Sequence, residues 1–158
     1  MPSYSVPIED MRFLLHDVLN AGALTDLPGY EEMNLELIDT VLEEAAKLAE
    51  NELFPLNQVG DQEGCTYENG VVRTPTGFKE AYNQFREGGW VGLSADPDYG
   101  GQGMPQAVNF VLNEILSSAN MAFAMYPGLS QGAYDAIHQH GNQELKDLYL
   151  PKLVDGIW

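Results

Sequence analysis

Four features of this chain have residue types and spacings that suggest chemistry. The first is His138-x-His140. On a helix these two rings point about 200° apart, so they cannot share a metal ion. Asp135 stands three residues before His138, and a surface ion pair between them is the expected use of that histidine. The second is Gly100-Gly101-Gln102-Gly103. A dinucleotide fingerprint needs a preceding strand, glycines at G-x-G-x-x-G spacing and a helix start behind them. Here Gln106 occupies the third glycine position and no strand precedes, so a tight loop between closely approaching helices is expected. The third is the lone Cys65, beside Gly64 in a predicted loop. No base is near it in sequence to activate it, and a structural or surface thiol is expected. Carboxylate pairs are uninformative in a chain with 24 acids. No catalytic, cofactor-binding or metal residue is assigned. The fourth is the stretch from Met121 to Gly132, where Met121, Phe123, Met125 and Leu129 alternate with Ala122, Ala124, Gly128 and Gly132. It reads either as core packing or as the wall of an apolar cavity, since small residues leave room and methionine adapts to varied ligands.

Composition excludes several partners. Seven Lys and Arg face 24 Asp and Glu, a formal charge of −17 in 158 residues. Nucleic-acid binding needs clustered bases, and none is present. An anionic membrane surface is disfavoured for the same reason. No apolar run approaches the ~20 residues of a membrane helix, so no membrane insertion is expected. The opening residues lack a basic segment ahead of an apolar run, and one cysteine fits a reducing compartment; a cytoplasmic protein is expected.

The elements that would position these groups are mostly helical. Ile8 to Asn20 has apolar residues at 3–4 spacing (Ile8, Met11, Leu15, Val18, Leu19), with Gly22 as its stop. Leu35 to Leu53 has the clearest stripe (Leu35, Ile38, Leu42, Ala45, Ala49, Leu53), with Asn34 as N-cap and Pro55 just beyond its end. Residues 57–75 lack helical period, and Asn69-Gly70 predicts a short hairpin that must lean on helices. Thr76 to Glu87 reads as a helix burying Phe78, Ala81, Tyr82 and Phe85. A helix from Pro105 buries Val108, Val111, Leu112, Ile115 and Ala119, with Asn109 facing out. Pro127-Gly128 is expected to divide residues 121–140 into a short approach and a helix from about Ser130 to His140. A last helix, capped by Asn142 and lined by Leu145, Leu148 and Tyr149, ends or kinks at Pro151. The sum is an all-α bundle of about six helices with one short β-hairpin. The apolar ending Gly156-Ile157-Trp158 implies either that Trp158 docks on the body or, the favoured reading, that the chain is cut from something longer.

Several of these segments resemble one family. Gly89-Trp90-Val91-Gly92-Leu93, followed by Asp96-Pro97-Asp98-Tyr99-Gly100-Gly101-Gln102-Gly103-Met104-Pro105, resembles the signature loop of the acyl-CoA dehydrogenases. Ala119-Asn120-Met121-Ala122-Phe123-Ala124-Met125-Tyr126-Pro127-Gly128 does so too. Tyr149-Leu150-Pro151-Lys152-Leu153-Val154-Asp155-Gly156 looks like the closing helix of that family's N-terminal domain. Met1-Pro2-Ser3-Tyr4 with Asp10-Met11-Arg12-Phe13-Leu14-Leu15-His16 is similar to the extension of a longer subgroup, which includes 3-methylmercaptopropionyl-CoA dehydrogenases.

The resemblance implies an extension with one helix over 1–33 and the family's N-terminal helical domain over 34–158. The middle β-domain and C-terminal helical domain would lie outside the chain. It implies a parent enzyme that desaturates an acyl-CoA at the α,β position, with a base taking the α-proton while hydride passes to FAD. The catalytic carboxylate would belong to the missing C-terminal part. The helical domain would supply part of the acyl-chain wall, which falls by position on Ala124, Met125, Gly128, Leu129 and Gly132. The chain alone is then expected to bind no FAD and to be inactive. The parent's partners would be an acyl-CoA substrate, an electron acceptor and further copies of itself in a homo-oligomer. An acyl-CoA oxidase would share the same domain. The rival reading is a non-enzymatic helical module that binds an apolar ligand or a partner helix.

Overall fold

A computed structural model describes residues 3–158. The order is α1 (Ile8–Phe13), α2 (Leu35–Leu48), α3 (Phe54–Glu63), β1 (Thr66–Glu68), β2 (Val71–Arg73), α4 (Phe78–Glu87), α5 (Gln106–His140) and α6 (Gln143–Val154). Helix α5 is the spine, packed against α2, α3 and α6.

Helix α1 runs on as a π-turn over Leu14–Val18 and stops where Asn20 turns left-handed (φ 51°), two residues before Gly22. Met11 and Leu15 are buried, but Val18 and Leu19 face solvent. The wider π-turn rotates the chain, so an α-helical wheel misplaces the last two. Residues Val6 to Met33 contribute to the same core as α2. Arg12 pairs with Glu9 within α1 and ties the helix to Asp39 and Glu43 of α2, and His16 Nε2 lies 3.1 Å from Asp39 Oδ1.

Asn34 caps α2 as expected, its Oδ1 accepting the Leu37 N–H at 2.8 Å. Ile38, Leu42, Ala45, Ala49 and Leu53 are buried, and Leu35 is at the edge. The expected stop at Pro55 is not where the helix ends. A π-turn over Ala49–Leu53 leads directly into α3, and Pro55 falls in its first turn, where no N–H is required. No residue of α3 is fully buried, so it carries no apolar period to read.

The hairpin forms at Asn69-Gly70, both with positive φ (52° and 80°), and pairs Tyr67 with Val72. All six strand residues are exposed, contrary to the expectation that it leans on helices. It is held at its base instead, where the Thr76 N–H donates to Glu63 Oε2 at 2.8 Å and Pro75 is buried.

The predicted division at Pro127-Gly128 is displaced. Backbone geometry leaves the helical region inside α5 at Asn120 (φ −156°, ψ 90°), seven residues earlier. The Asn120 side chain caps the second half by accepting the Phe123 N–H at 3.0 Å. Its Nδ2 donates to the Leu53 carbonyl at 3.1 Å, which fixes the bend against α2's extension. Asn109, expected outside, is buried. In α6 the faces also differ from expectation. Leu145 and Leu148 are exposed, while Leu150, Leu153 and Val154 form a small second core with Ala95 and Tyr134. Helix α6 passes through Pro151 to Val154.

Candidate functional site

The second half of α5 buries Phe123, Pro127 and Tyr134 on its inward side. At 3.6 residues per turn, Ala124, Gly128, Gly132, Met125 and Leu129 then fall together on an arc of about 140° on the other side. Ala124 is half-buried against the core. Met125 is 63% exposed and Leu129 80%, and Met121 continues the strip at 57%. A Cβ on Gly128 or Gly132 would meet nothing within 4 Å. The five residues form an apolar strip whose edge, Ala124, packs against the core, while Met125, Gly128, Leu129 and Gly132 face outward. From Met121 to Tyr134 the only ionisable groups are the two tyrosines. The strip can remove water from an apolar surface; it has nothing with which to move a proton.

The glycine-rich loop lies on the opposite face of the same helix. Its backbone donors are spent internally. The N–H groups of Gly100, Gly101, Gln102 and Gly103 donate to the carbonyls of Pro97, Asp96, Gly92 and Ala95 at 2.9–3.0 Å. None of these four is left as a nest for a phosphate.

His138 does not pair with Asp135. Its Nε2 lies 3.0 Å from Asp96 Oδ2, 42 residues away in sequence. The ring stacks on Tyr134 with centroids 5.4 Å apart, and the Tyr134 hydroxyl accepts the Asp96 N–H at 2.8 Å. Asp96 and Tyr134 are the anchors that sequence reasoning missed. The available signal was Asp96-Pro97-Asp98, an Asx-turn sequence. Among the described residues no group of three His, Cys, Asp or Glu is placed to hold a metal, and no helix is long and apolar enough to cross a membrane.

The Asp96 carboxyl is held below its usual range, first by the Asp98 N–H and then by His138. A depressed carboxylate contributes stability above its unfolded pKa and loses it as pH falls through the folded value. The stability difference between wild type and Asp96→Ala should therefore shrink as pH falls below about 4. Urea midpoints against pH check this; a difference that grows in acid would contradict it.

Residues 37–157 match the profile described as acyl-CoA dehydrogenase, N-terminal domain. The chain belongs to the acyl-CoA dehydrogenase family. Over 156 residues, 99% of its length, it is 36% identical to a 3-methylmercaptopropionyl-CoA dehydrogenase of Ruegeria pomeroyi. It is 29% identical over 160 residues to a butyryl-CoA dehydrogenase of Syntrophomonas wolfei, and 31% over 157 to the mitochondrial isovaleryl-CoA dehydrogenase of Bos taurus. The chain spans 26% of the first two relatives' length and 33% of the third. For an acyl-CoA dehydrogenase N-terminal domain, the all-α architecture with one hairpin is the expected one, and the loop from Gly89 to Pro105 that carried the resemblance is its most tightly tied irregular segment.

Proposed function

We propose that the chain is the N-terminal portion of a flavin-dependent acyl-CoA dehydrogenase that desaturates an acyl-CoA thioester at the α,β position. Residues 34–158 are its helical domain and 1–33 an added extension. The observation that supports this most is the alignment of nearly the whole chain with about a quarter of two such dehydrogenases. In this reading Ala124, Met125, Gly128, Leu129 and Gly132 form one side of the acyl pocket, and polypeptide outside the chain supplies the other side, the base and the FAD site. The strip's part is to exclude water and to measure chain bulk, at about 1–3 kcal/mol per methylene. The parent would act in the cytoplasm as a homo-oligomer and pass electrons to a separate acceptor.

The test is the flavin absorbance of the full-length protein under nitrogen, titrated with a panel of acyl-CoAs. Bleaching by a subset of them is expected. The exposure of Met125 and Leu129 also fits a non-enzymatic module that binds an apolar ligand or partner helix; that reading predicts no flavin spectrum. Gly128→Leu then tests the wall. Its side chain enters open space, so folding is expected to be normal, and the bulkiest acyl chains should stop bleaching before the short ones. Equal loss for every chain would remove Gly128 from the wall.

A further inference from the structure

A second apolar surface lies apart from the strip, between α4 and α5 beneath the hairpin exit. It is a groove of about 410 Å³ lined by Thr74, Phe78, Lys79, Tyr82 and Tyr126. Its aromatic side is built: Phe78 and Tyr126 meet edge to face at 6.2 Å, and Phe123 backs Tyr82 and Tyr126 at 6.4 and 6.2 Å. Burial, and then the neighbouring Cys65 thiol, raise the Tyr126 phenol, so this lining is neutral at physiological pH.

Its charge is unusual for the chain. The ion pairs among the described residues use Arg12, Lys47, Arg86, His16 and His138, and none uses Lys79. Arg73, likewise outside those pairs, lies with Lys79 on the adjoining open face, where Glu80 is the one carboxylate. Of the seven bases in a chain of charge −17, Lys79 thus lines the apolar groove and Arg73 lies on the face beside it. An aromatic groove with an ammonium outside any ion pair in its lining suits a ligand with an apolar tail and an anionic head.

We propose that this groove binds a single-chain alkyl carboxylate, its tail over Phe78, Tyr82 and Tyr126 and its carboxylate toward Lys79. The proposal is independent of the acyl pocket assigned to the α5 strip. The probe is sodium decanoate below its micelle concentration, added to the 158-residue chain and followed by backbone amide shifts. Saturable shifts at residues 74–82 and 126 are expected, with none from acetate and weaker ones from decan-1-ol. Lys79→Glu, at an exposed position that should not disturb folding, is expected to weaken decanoate binding at least tenfold and to leave decan-1-ol unchanged. Shifts confined to Met125, Leu129 and Gly132 would overturn the proposal. So would equal decanoate affinity in wild type and Lys79→Glu, or no saturation at all. None of these results depends on flavin, so they leave the dehydrogenase reading to its own test.

Discussion

Replacing Gly101 with alanine is expected to destabilise the chain by more than about 4 kcal/mol, a size reserved for a few mechanisms. The cause is a collision with backbone. A Cβ at Gly101 would overlap the carbonyl carbon and oxygen of Ala95, and it would also lie 2.7 Å from the Ala95 Cβ. A main-chain carbonyl cannot rotate away as a flexible side chain could. The loop must open, and with it the bonds from Gly101 N–H to Asp96 O, Gln102 N–H to Gly92 O and Met104 N–H to Leu93 O. Of these donors Met104 is the buried one, and leaving it unpaired adds about 1–3 kcal/mol to the collision. The adjacent glycine is the control. Gly100 has φ +91° and nothing within 4 Å of its Cβ position, so Gly100→Ala should cost only the left-handed penalty of about 1–2 kcal/mol. Urea midpoints of the two variants separate close approach from backbone conformation. Equal midpoints would mean that the loop does not press on Ala95 in solution.

Asn120→Leu is expected to cost about 1–3 kcal/mol, because the substitution leaves a buried backbone donor unpaired and cuts a tie between α5 and α2's extension. The side chain is 1% exposed, and the break in α5 depends on it. Losing Oδ1 strands the Phe123 N–H, and losing Nδ2 removes the tie to the Leu53 carbonyl, which keeps its backbone bond at the start of α3. Leucine has a similar size, so lost packing is a minor part of the effect. Asn120→Asp isolates the polar contribution. Its carboxylate keeps the cap but has no donor for Leu53 and places a charge in a buried site. Protonated, it recovers a donor and an acceptor. Its deficit should therefore be large at neutral pH and shrink as pH falls. Thermal melts across pH for both variants check this, and a pH-independent deficit for Asn120→Asp would show that the site is wetter than the geometry indicates.

What was legible from residues alone was whatever is decided within a few positions. Asn34 and Asn142 cap their helices because a short side-chain acceptor reaches an N–H three residues on. Asn69-Gly70 turns because both residues tolerate positive φ. The stripe from Ile38 to Leu53 shows its face because every member lies against one continuous core. The family was legible too, since its loop and closing helix are runs of consecutive residues. The rest needed contacts distant in sequence. Helix α3 is invisible to periodicity because it buries no residue completely. The break in α5 falls at Asn120 because a carbonyl 67 residues earlier is there to receive its amide. Pro127 lacks one N–H but is held in the helix by burial beside Phe123. His138 chooses Asp96 over Asp135 because the loop folds back onto α5. The strip from Ala124 to Gly132 has a composition that suits core or wall equally. Its direction was set by Phe123, Pro127 and Tyr134, which take the inward positions and turn the smaller and more flexible residues outward.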